Sequence, residues 1–382
     1  MIENKKLSIY FHWPFCESKC PYCDFNSHVR KKIDHKEWLN AYLDNIDIWK
    51  EKLNSSIITS IYFGGGTPSL MEPKSLSIIL EKIYNNFSLS KNIEISMEAN
   101  PSSVEKNKFK AFSLAGINRI SIGVQSFNEI DLRYLGRRHS ANDAISAIEI
   151  ANSEFSNVNF DLIYGRQFQK LSDWEKELNF AFSLGSQHLS LYQLTIEKNT
   201  AFEKLMNVGK LKGLPNQELS KKFYVSTSDL CKENNFYSYE ISNFAKKNFE
   251  CLHNINYWKS GNYISIGPGA HSRYKHNESK FSYFNIKNPE RWLERLLINK
   301  NPIQKIKKLS KKEQFEEMIM MGLRIDEGIN LTNIQNKTGL KLNADKLNYL
   351  KDLKFISLKN NNLKLLFKGK LVLNKIIQEL LV

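Results

Sequence analysis

Residues 7–23 read LSIYFHWPFCESKCPYC, and they predict both a buried strand and a metal centre. Residues 7–13 are β-branched or aromatic and nearly continuous in apolar character, which is typical of a strand buried on both faces. The strand runs directly into a loop that carries Cys16, Cys20 and Cys23 with the spacing C-x₃-C-x₂-C. Thiols clustered in this way rarely serve packing alone, so the loop predicts metal ligands at the carboxyl end of the strand.

The pattern of a short strand, a turn and a helix repeats through the first two hundred residues. Further strands are predicted at 58–63, 93–99, 119–125, 158–164 and 188–194, and helices at 36–53, 104–115 and 172–184. Strands that alternate with helices of this length predict right-handed βαβ units and a parallel sheet. Six such units make an α/β fold, a partial, TIM-like (β/α)6 barrel, whose chemistry is expected at the carboxyl ends of its strands.

The rest of the chain predicts two further units. A helix at 216–234 leads into an aromatic-rich extension, with strands near 236–241 and 262–267 and a helix at 289–299. Helices at 310–323, 330–337 and 343–352, a hairpin that turns at 360–362 and a last helix at 369–381 resemble a winged helix. We therefore divide the chain into a barrel (1–235), an extension (236–305) and a C-terminal helical, winged-helix-like domain (306–382).

Composition is typical of an ordinary globular protein. Of 382 residues, 41% are hydrophobic and 25% are charged, which excludes a disordered chain, and five cysteines are too few for a disulfide scaffold. No apolar run reaches the ~18 residues of a membrane span, and the N-terminus has no signal-peptide core, so we expect a cytoplasmic protein. The net charge of +15 is spread along the chain, and nucleic-acid binding is not expected.

The spacing of the three thiols leaves two kinds of metal centre open. A structural zinc site needs four ligands, so the loop would have to borrow a distant cysteine or histidine. Three thiolates can instead hold three irons of a cube and leave the fourth iron open for a ligand. In the setting of a barrel we favour the iron–sulfur cluster. The remaining cysteines, Cys231 and Cys251, are interpreted as buried thiols.

The order of the motifs resembles the radical S-adenosylmethionine (SAM) superfamily and, within it, the family of HemN and HemW. The resemblance spans roughly residues 8–275, and the C-terminal domain also fits. It is carried by YFHWPFCESKCPYCDFNSH (10–28), YFGGGTPS (62–69), MEANPSS (97–103), RISIGVQSFN (119–128), LGRRHS (135–140), NFDLIYG (159–165), YEISNFA (239–245), HNINYW (253–258) and GPGAHS (267–272).

The resemblance implies a radical SAM barrel with two cofactors at its mouth. It implies a [4Fe-4S] cluster on Cys16, Cys20 and Cys23, with SAM chelating the open iron. The SAM contacts that it implies are Tyr10, Tyr22, Gly65, Gly66, Thr67, Glu98, Gln125, Arg137, Asp161, Thr195 and His271.

The residue types suit these roles. The glycines allow close approach of the backbone to a ligand, although they suit a tight turn equally well. Arg137 is a natural partner for a carboxylate. Glu98, Gln125 and Asp161 end their predicted strands, so we expect them to converge on the barrel mouth.

Two departures separate this sequence from the dehydrogenases of the HemN type. Those enzymes carry a further cysteine two residues past the third, where this sequence has Phe25, and an extension before the cluster, whereas Cys16 lies near the start here. Both departures fit the HemW type of heme chaperone. The resemblance then implies heme as a ligand, a heme-acceptor protein as a partner and, further, an electron donor.

Other functions stay open. The alternative is an oxygen-independent coproporphyrinogen III dehydrogenase, and a DNA-binding regulator that acts through the winged helix has less support. Catalytic residues are not assigned, and net turnover is not predicted.

The segment HNINYW (253–258) matches the H-N-x-x-Y-W sequence that HemW-type proteins share and that is implicated in heme binding. Imidazole is a good axial ligand for heme iron, and the neighbouring Tyr257 and Trp258 offer flat faces for a porphyrin. From the residues alone, His253 reads more readily as a core histidine between buried aromatics. With the resemblance, we expect His253 to bind heme.

Overall fold

The computed structural model of the chain describes residues 6–53, 56–276 and 278–381, so residues 1–5 and 382 of the predicted outer domains lie outside it. In the barrel region the strands and helices are β1 (Lys6–Trp13), β2 (Phe15–Cys16), β3 (His28–Val29), α1 (His35–Lys50), β4 (Ile57–Gly65), α2 (Pro73–Asn86), β5 (Ser88–Ala99), α3 (Ser103–Lys106), α4 (Phe109–Ala115), β6 (Arg119–Gln125), α5 (Glu129–Tyr134), α6 (Ala141–Glu154), β7 (Asn157–Tyr164), α7 (Leu171–Ser183) and β8 (His188–Gln193).

The elements continue through a middle and a C-terminal region. The middle region contains α8 (Ala201–Asn207), α9 (Gln217–Glu233), β9 (Tyr237–Ser238), β10 (Asn243–Ala245), α10 (Leu252–Trp258), β11 (Asn262–Ile266), β12 (His271–His276), β13 (Ser279–Asn285), α11 (Pro289–Asn299) and β14 (Ile303–Lys308). The C-terminal region contains α12 (Lys311–Gly322), β15 (Ile329–Asn330), α13 (Leu331–Thr338), α14 (Ala344–Asp352), β16 (Ile356–Lys359), β17 (Asn362–Leu365), α15 (Phe367–Lys370) and α16 (Leu373–Leu381).

The six predicted barrel strands are parallel, and they are neighbours in sequence order, β1-β4-β5-β6-β7-β8. The α/β class and the partial barrel are therefore confirmed. The sheet is larger than predicted, because β11 pairs in parallel with β1 and β12, β13 and β14 extend that edge in antiparallel pairs. On the other side, β10 and β9 continue the sheet from β8.

Side chains along the barrel strands alternate between two chemically different faces. On β1, Leu7 and Ile9 are buried in the core shared with the surrounding helices, whereas Ser8 and Tyr10 point into the barrel. Ser60 of β4 donates a hydrogen bond to Ser8 at 2.7 Å across the strand pair. The strands are buried on both faces, as predicted, but the inner face is polar rather than apolar, and its polar groups satisfy one another.

The middle region departs most from the sequence analysis. Of the predicted strand at 236–241, only Tyr237–Ser238 is a strand, and the described strands β10, β12, β13 and β14 were not predicted at all. The strand β12 reads HSRYKH and β14 reads IQKIKK, so neither has the apolar run that identifies a buried strand. Strand β14 is the outer strand of the sheet in the described part of the chain, and its three lysines are exposed.

The C-terminal region has a hydrophobic core of its own. The buried residues of one hydrophobic core lie between Leu7 and Leu296 in the sequence, and those of a second core lie between Phe315 and Leu380. The predicted hairpin is present as β16 and β17, and Asn360 and Asn361 both have positive φ, as a two-residue turn of this kind requires. The winged-helix-like character is confirmed, although the predicted last helix is divided into α15 and α16. The predicted domain bounds stay predictions.

Across the described residues, none of the helices combines the length and the apolar character that crossing a membrane requires. The cytoplasmic location stays a prediction.

Candidate cofactor site

The three clustered cysteines lie on the loop between β1 and α1, at the carboxyl end of the barrel strands. Cys16 ends the short strand β2, which pairs with β3. The backbone N–H of Cys23 donates to the carbonyl of Cys20 at 3.1 Å. All three thiols are free and half-buried. The structure therefore gathers the predicted ligands on one short, folded loop.

Neighbouring segments support this cysteine loop from two sides. The side-chain amide of Asn26 donates to the carbonyls of Pro268 and Lys287, at 3.1 and 3.0 Å. On the other side, the backbone N–H of Phe202 donates to the carbonyl of Pro21 at 2.9 Å. The GPGAHS motif thus contributes backbone support for the loop, through Pro268.

The glycine-rich turn after β4 packs its backbone against the start of the cysteine loop. The N–H groups of Gly66 and Thr67 donate to the carbonyls of Trp13 and Phe15, at 2.6 and 2.8 Å. A Cβ at Gly66 would lie 2.6 Å from the Phe15 carbonyl oxygen, and Gly65 has φ of +115°. Glycine is required at both positions, because side chains would separate the turn from the loop.

Two of the predicted SAM contacts donate hydrogen bonds to cysteine sulfurs. The Thr67 hydroxyl donates to Cys16 Sγ at 3.4 Å, and the Arg137 guanidinium donates to Cys20 Sγ at 3.5 Å. Burial raises the pKa of the Cys16 thiol, and the neighbouring Cys23 and Cys20 raise it further. Within the described residues, no three His, Cys, Asp or Glu side chains are grouped closely enough to hold a single metal ion. Soft thiol ligands that carry donors on their sulfurs fit the chemistry of an iron–sulfur cluster.

Half-buried polar side chains line the barrel interior next to the turn. Tyr62 donates to one oxygen of Glu98 at 3.0 Å, and the N–H of Gly65 donates to the other at 3.1 Å. Burial raises the pKa of Glu98 to about 7, and the charge of Asp161 contributes to the shift. Asp161 lies inside β7 rather than at its end, which corrects its predicted position. A ligand with a cationic group would relieve the repulsion between the two carboxylates.

The predicted tyrosines flank this interior. The hydroxyl of Tyr10 is hydrogen-bonded to His12 Nδ1 at 3.1 Å, and its ring stacks on Tyr62 at a centroid distance of 6.3 Å. Tyr22 belongs to the cysteine loop and packs against Phe202, with ring centroids 6.4 Å apart. Both tyrosines therefore border the region between the cysteine loop and the barrel.

Gln125 ends β6 in a backbone conformation that other residues support. Its φ is +71°, which an L-residue adopts at a cost. The buried guanidinium of Arg166 donates to the carbonyls of Gln125 and Ile163, at 3.4 and 2.8 Å, and pairs with Glu177 at 2.6 Å. Arg166 was not predicted, because a lone arginine after a strand matches no motif.

Two predicted SAM contacts lie apart from these groups. Thr195 is exposed, and its hydroxyl donates to the Gln193 carbonyl at 3.3 Å. His271 is exposed at the start of β12, where its ring packs edge-on against Phe284 at 4.6 Å. The structure does not bring either side chain to the barrel interior.

His253 lies on the amino-terminal side of the polar side chains at the mouth, and its ring stacks on Tyr62 at a centroid distance of 5.0 Å. Its Nδ1 is hydrogen-bonded to Ser60 and its Nε2 to Tyr257, both at 3.0 Å, and the residue is 1% exposed. Burial lowers its pKa to about 3, with the charge of Arg119 as a further cause. Both ring nitrogens of the neutral imidazole are therefore occupied by hydroxyl partners.

Comparisons with known proteins agree with this geometry. The radical SAM superfamily matches residues 10–181, and the HemN C-terminal domain matches residues 309–372. Heme chaperone HemW of Haemophilus influenzae is 35% identical over 383 residues, which cover 97% of each chain. The chain belongs to the HemW family of radical SAM proteins.

Other relatives extend this family beyond bacteria. The mitochondrial radical S-adenosyl methionine domain-containing protein 1 of Danio rerio is 33% identical over 390 residues, which cover 98% of this chain and 87% of the relative. The solved structure of coproporphyrinogen III oxidase HemN from Escherichia coli aligns with a TM-score of 0.82 at 20% identity, covering 98% of this chain and 90% of that one. At this identity the structural match shows the fold alone.

Membership of the radical SAM superfamily implies a [4Fe-4S] cluster and SAM. The three cysteines of this HemW family member, the donors on two of their sulfurs and the carboxylates in the barrel interior fit both groups. The assignment of individual residues to the cluster, SAM or heme stays a prediction.

Proposed function

We propose that this chain is a heme chaperone that holds a [4Fe-4S] cluster on Cys16, Cys20 and Cys23, binds SAM at the barrel mouth and passes heme to an acceptor protein. The observation that carries the proposal is the similarity to the heme chaperone HemW of Haemophilus influenzae along 97% of both chains. The cytoplasm is the location that we propose for this transfer.

The residues around the cysteine loop have distinct proposed roles toward SAM. The cluster, when bound, supplies an open iron and an electron. Thr67 and Arg137 orient the cysteine sulfurs and border the ligand, and Glu98 and Asp161 offer negative charge to a sulfonium or an amino group. The other proposed contacts are Tyr10, Tyr22, Gly65, Gly66, Gln125, Thr195 and His271, of which the last two are exposed outside the barrel interior.

Phe25 supports the chaperone over the dehydrogenase. It stands where HemN-type dehydrogenases carry a further cysteine, and its side chain is 58% exposed beside the cysteine loop. A phenylalanine supplies neither a metal ligand nor a thiol at this position, which disfavours the dehydrogenase. The alternative, oxidative decarboxylation of coproporphyrinogen, is tested by the assay below.

His253 is the proposed heme ligand, and its surroundings define what heme binding requires. Heme iron needs the lone pair of an imidazole nitrogen, and both ring nitrogens are hydrogen-bonded, Nδ1 to Ser60 and Nε2 to Tyr257, at 3.0 Å each. Tyr257 and helix α10 must therefore move before His253 can coordinate iron. The two variants His253→Ala and Tyr257→Phe separate this role from a purely structural one.

The proposal is tested on one anaerobically reconstituted sample. Wild-type protein should contain four irons per chain, bind added heme with a shifted Soret band and release no carbon dioxide from coproporphyrinogen in the presence of SAM and reductant. The variant Cys20→Ala should lose the cluster absorbance, and Cys231→Ala, which removes a buried thiol outside the loop, should keep it. Carbon dioxide release would establish the dehydrogenase instead.

The heme ligand is tested by titrating heme into the variants His253→Ala and Tyr257→Phe, which each remove one partner of the hydrogen bond between these two side chains. His253→Ala should weaken heme binding at least tenfold with the cluster retained. Tyr257→Phe should bind heme as tightly as the wild type or more tightly, because it frees Nε2. Equal weakening by both variants, together with equal losses of thermal stability, would assign His253 to the structure of the barrel base.

A further inference from the structure

Asn100 lies immediately after β5, between two residues that contact the cysteine loop. Its side-chain amide N–H donates to the Thr67 hydroxyl oxygen at 3.3 Å. Its side-chain oxygen accepts from the Arg137 guanidinium at 2.8 Å. One amide group therefore contacts both side chains at once, and it uses its donor and its acceptor in different directions.

Each of these two partners continues to a cysteine sulfur. Thr67 donates to Cys16 Sγ at 3.4 Å, and Arg137 donates to Cys20 Sγ at 3.5 Å. A hydroxyl has a single proton. Because the Thr67 oxygen accepts from Asn100, its proton is left to point at Cys16. The amide thus determines the direction of both hydrogen bonds to sulfur.

Asn100 is itself held in place by buried groups that the sequence analysis did not single out. Its backbone N–H is shared between the carboxylate of Glu105 at 3.1 Å and the hydroxyl of Ser69 at 3.3 Å. Glu105 and Ser69 are buried and hydrogen-bonded to each other. Arg137 is anchored independently, since it donates to the Gly123 carbonyl at 2.6 Å. The network is therefore ordered before any ligand arrives.

Hydrogen bonds to the sulfurs of an iron–sulfur cluster help to set its reduction potential, and partners behind the ligands tune a metal centre. A donor that points at a thiolate stabilises negative charge, so it favours the reduced, more negative state of the cluster. Two donors at two of the three sulfurs raise the potential together. Loss of either donor lowers it.

We propose that Asn100 is a positioning residue that directs hydrogen bonds onto two of the three cluster sulfurs and thereby raises the reduction potential of the cluster. The inference rests on the proposed cluster at these cysteines. It adds a function for a residue that contacts neither sulfur directly, and it couples Cys16 to Cys20 through one side chain.

The test measures the midpoint potential of the reconstituted cluster in Asn100→Leu, without SAM, by a redox titration followed by electron paramagnetic resonance. We expect the ratio of reduced to oxidised cluster at a fixed potential to fall about tenfold, which is about 59 mV for one electron. The matched control is Asn118→Leu. The side chain of Asn118 is hydrogen-bonded to the backbone of Ile95 and Ile93 within β5, at 2.8 Å each, and not to Thr67 or Arg137, so its replacement should leave the potential unchanged.

Thr67→Val gives an independent measurement if Asn100→Leu assembles no cluster. It removes the donor to Cys16 alone, and it should lower the potential by part of the shift expected for Asn100→Leu. Where both single variants assemble, the double variant should shift the potential by less than the sum of the two, because Asn100 acts on Cys16 through Thr67. Unchanged potentials in iron-loaded Asn100→Leu or, failing that, in iron-loaded Thr67→Val would overturn the inference. A wild-type chain that assembles no four-iron cluster would instead overturn the proposed function.

Discussion

Glu94 and Glu98 lie on the same inward face of β5, four residues apart, but their surroundings differ. Glu94 is buried at the amino-terminal end, where it accepts hydrogen bonds from the backbone N–H groups of Leu252 and His253, at 2.8 and 3.1 Å. Glu98 is half-buried near the mouth, with Tyr62 and a backbone N–H as its donors. Position along the strand therefore decides whether a carboxylate supports the fold or is available to a ligand.

The base of the barrel is closed by groups that satisfy one another. The first backbone N–H group of helix α10 donates to Glu94, and the negative charge of Glu94 contributes to raising the pKa of the buried Arg119. His188 is buried in the same way, between Asn159 at 2.6 Å and Tyr239 at 2.9 Å. At the mouth, by contrast, Tyr192 is 42% exposed and burial raises the pKa of Glu98 to about 7.

The largest effect is expected at the base. Glu94→Leu should lower the free energy of unfolding by roughly 3–5 kcal/mol, because it leaves the first N–H groups of α10 without an acceptor and removes a negative charge near the buried Arg119. Chemical denaturation measures the change. A loss below about 1 kcal/mol would remove the distinction between base and mouth.

At the mouth, the corresponding substitution should stabilise the fold. The pKa of Glu98 is raised from 4.5 to about 7 by burial, so the folded state prefers the protonated form, and stability falls as the pH rises from 4.5 through 7. Glu98→Gln should therefore increase the free energy of unfolding at pH 8 by on the order of 1–2 kcal/mol. It should also weaken SAM binding about tenfold or more. A variant less stable than the wild type at pH 8 would contradict this.

The pH dependence of stability gives a second test at the amino-terminal base of the barrel, where His253 is buried. Burial lowers the pKa of His253 from 6.5 to about 3, so the unfolded chain binds a proton that the folded chain rejects. Stability is fully present above pH 6.5 and is lost as the pH falls toward 3. His253→Phe should remove about 1 kcal/mol of the loss between pH 6.5 and 5.5. Denaturation curves at both pH values measure this, and an unchanged loss would show that His253 is accessible to protons.

The smallest effect is expected at Cys251. Its thiol donates to Glu94 at 3.4 Å, and burial raises its pKa to about 12. A serine keeps a donor at this place, so Cys251→Ser should change the free energy of unfolding by less than about 1 kcal/mol and should leave the iron content unchanged. Loss of iron would instead make Cys251 a cluster ligand.

The barrel was predictable because each of its strands has an apolar run that is recognisable within a short stretch of sequence. Strand β6 was predicted at 119–125 and is observed as Arg119–Gln125, since its alternate residues form an apolar row against the helices. Strand β12 could not be predicted, because it is stabilised by pairing with β13 rather than by an apolar run of its own. The polar inner face of the barrel was not predicted either. Serine and tyrosine occur in buried strands whether the surrounding face is apolar or polar.

The residues of the candidate site also differ in whether a short stretch of sequence predicts them. The cysteines and the glycine turn were predictable, because their chemistry is contained in short stretches of sequence. The burial of His253 agrees with the interpretation from the residues alone, but its partner Ser60, 193 residues away in the sequence, could not be predicted. Asn100 and Arg166 act through contacts that tertiary packing alone creates. Sequence motifs therefore locate the groups that bear chemistry, and packing reveals the groups that hold them.

Strand β14 ends the twelve-stranded sheet with lysines at 305, 307 and 308. An outer strand offers backbone groups to any extended segment that approaches it, and lysines on such a strand deter that approach. Two copies brought together at this edge would place the exposed Lys305 and Lys308 of each chain close together, whereas Lys307 pairs with Glu313 of its own chain. Positive charge on this edge therefore disfavours extension of the sheet from one molecule into the next.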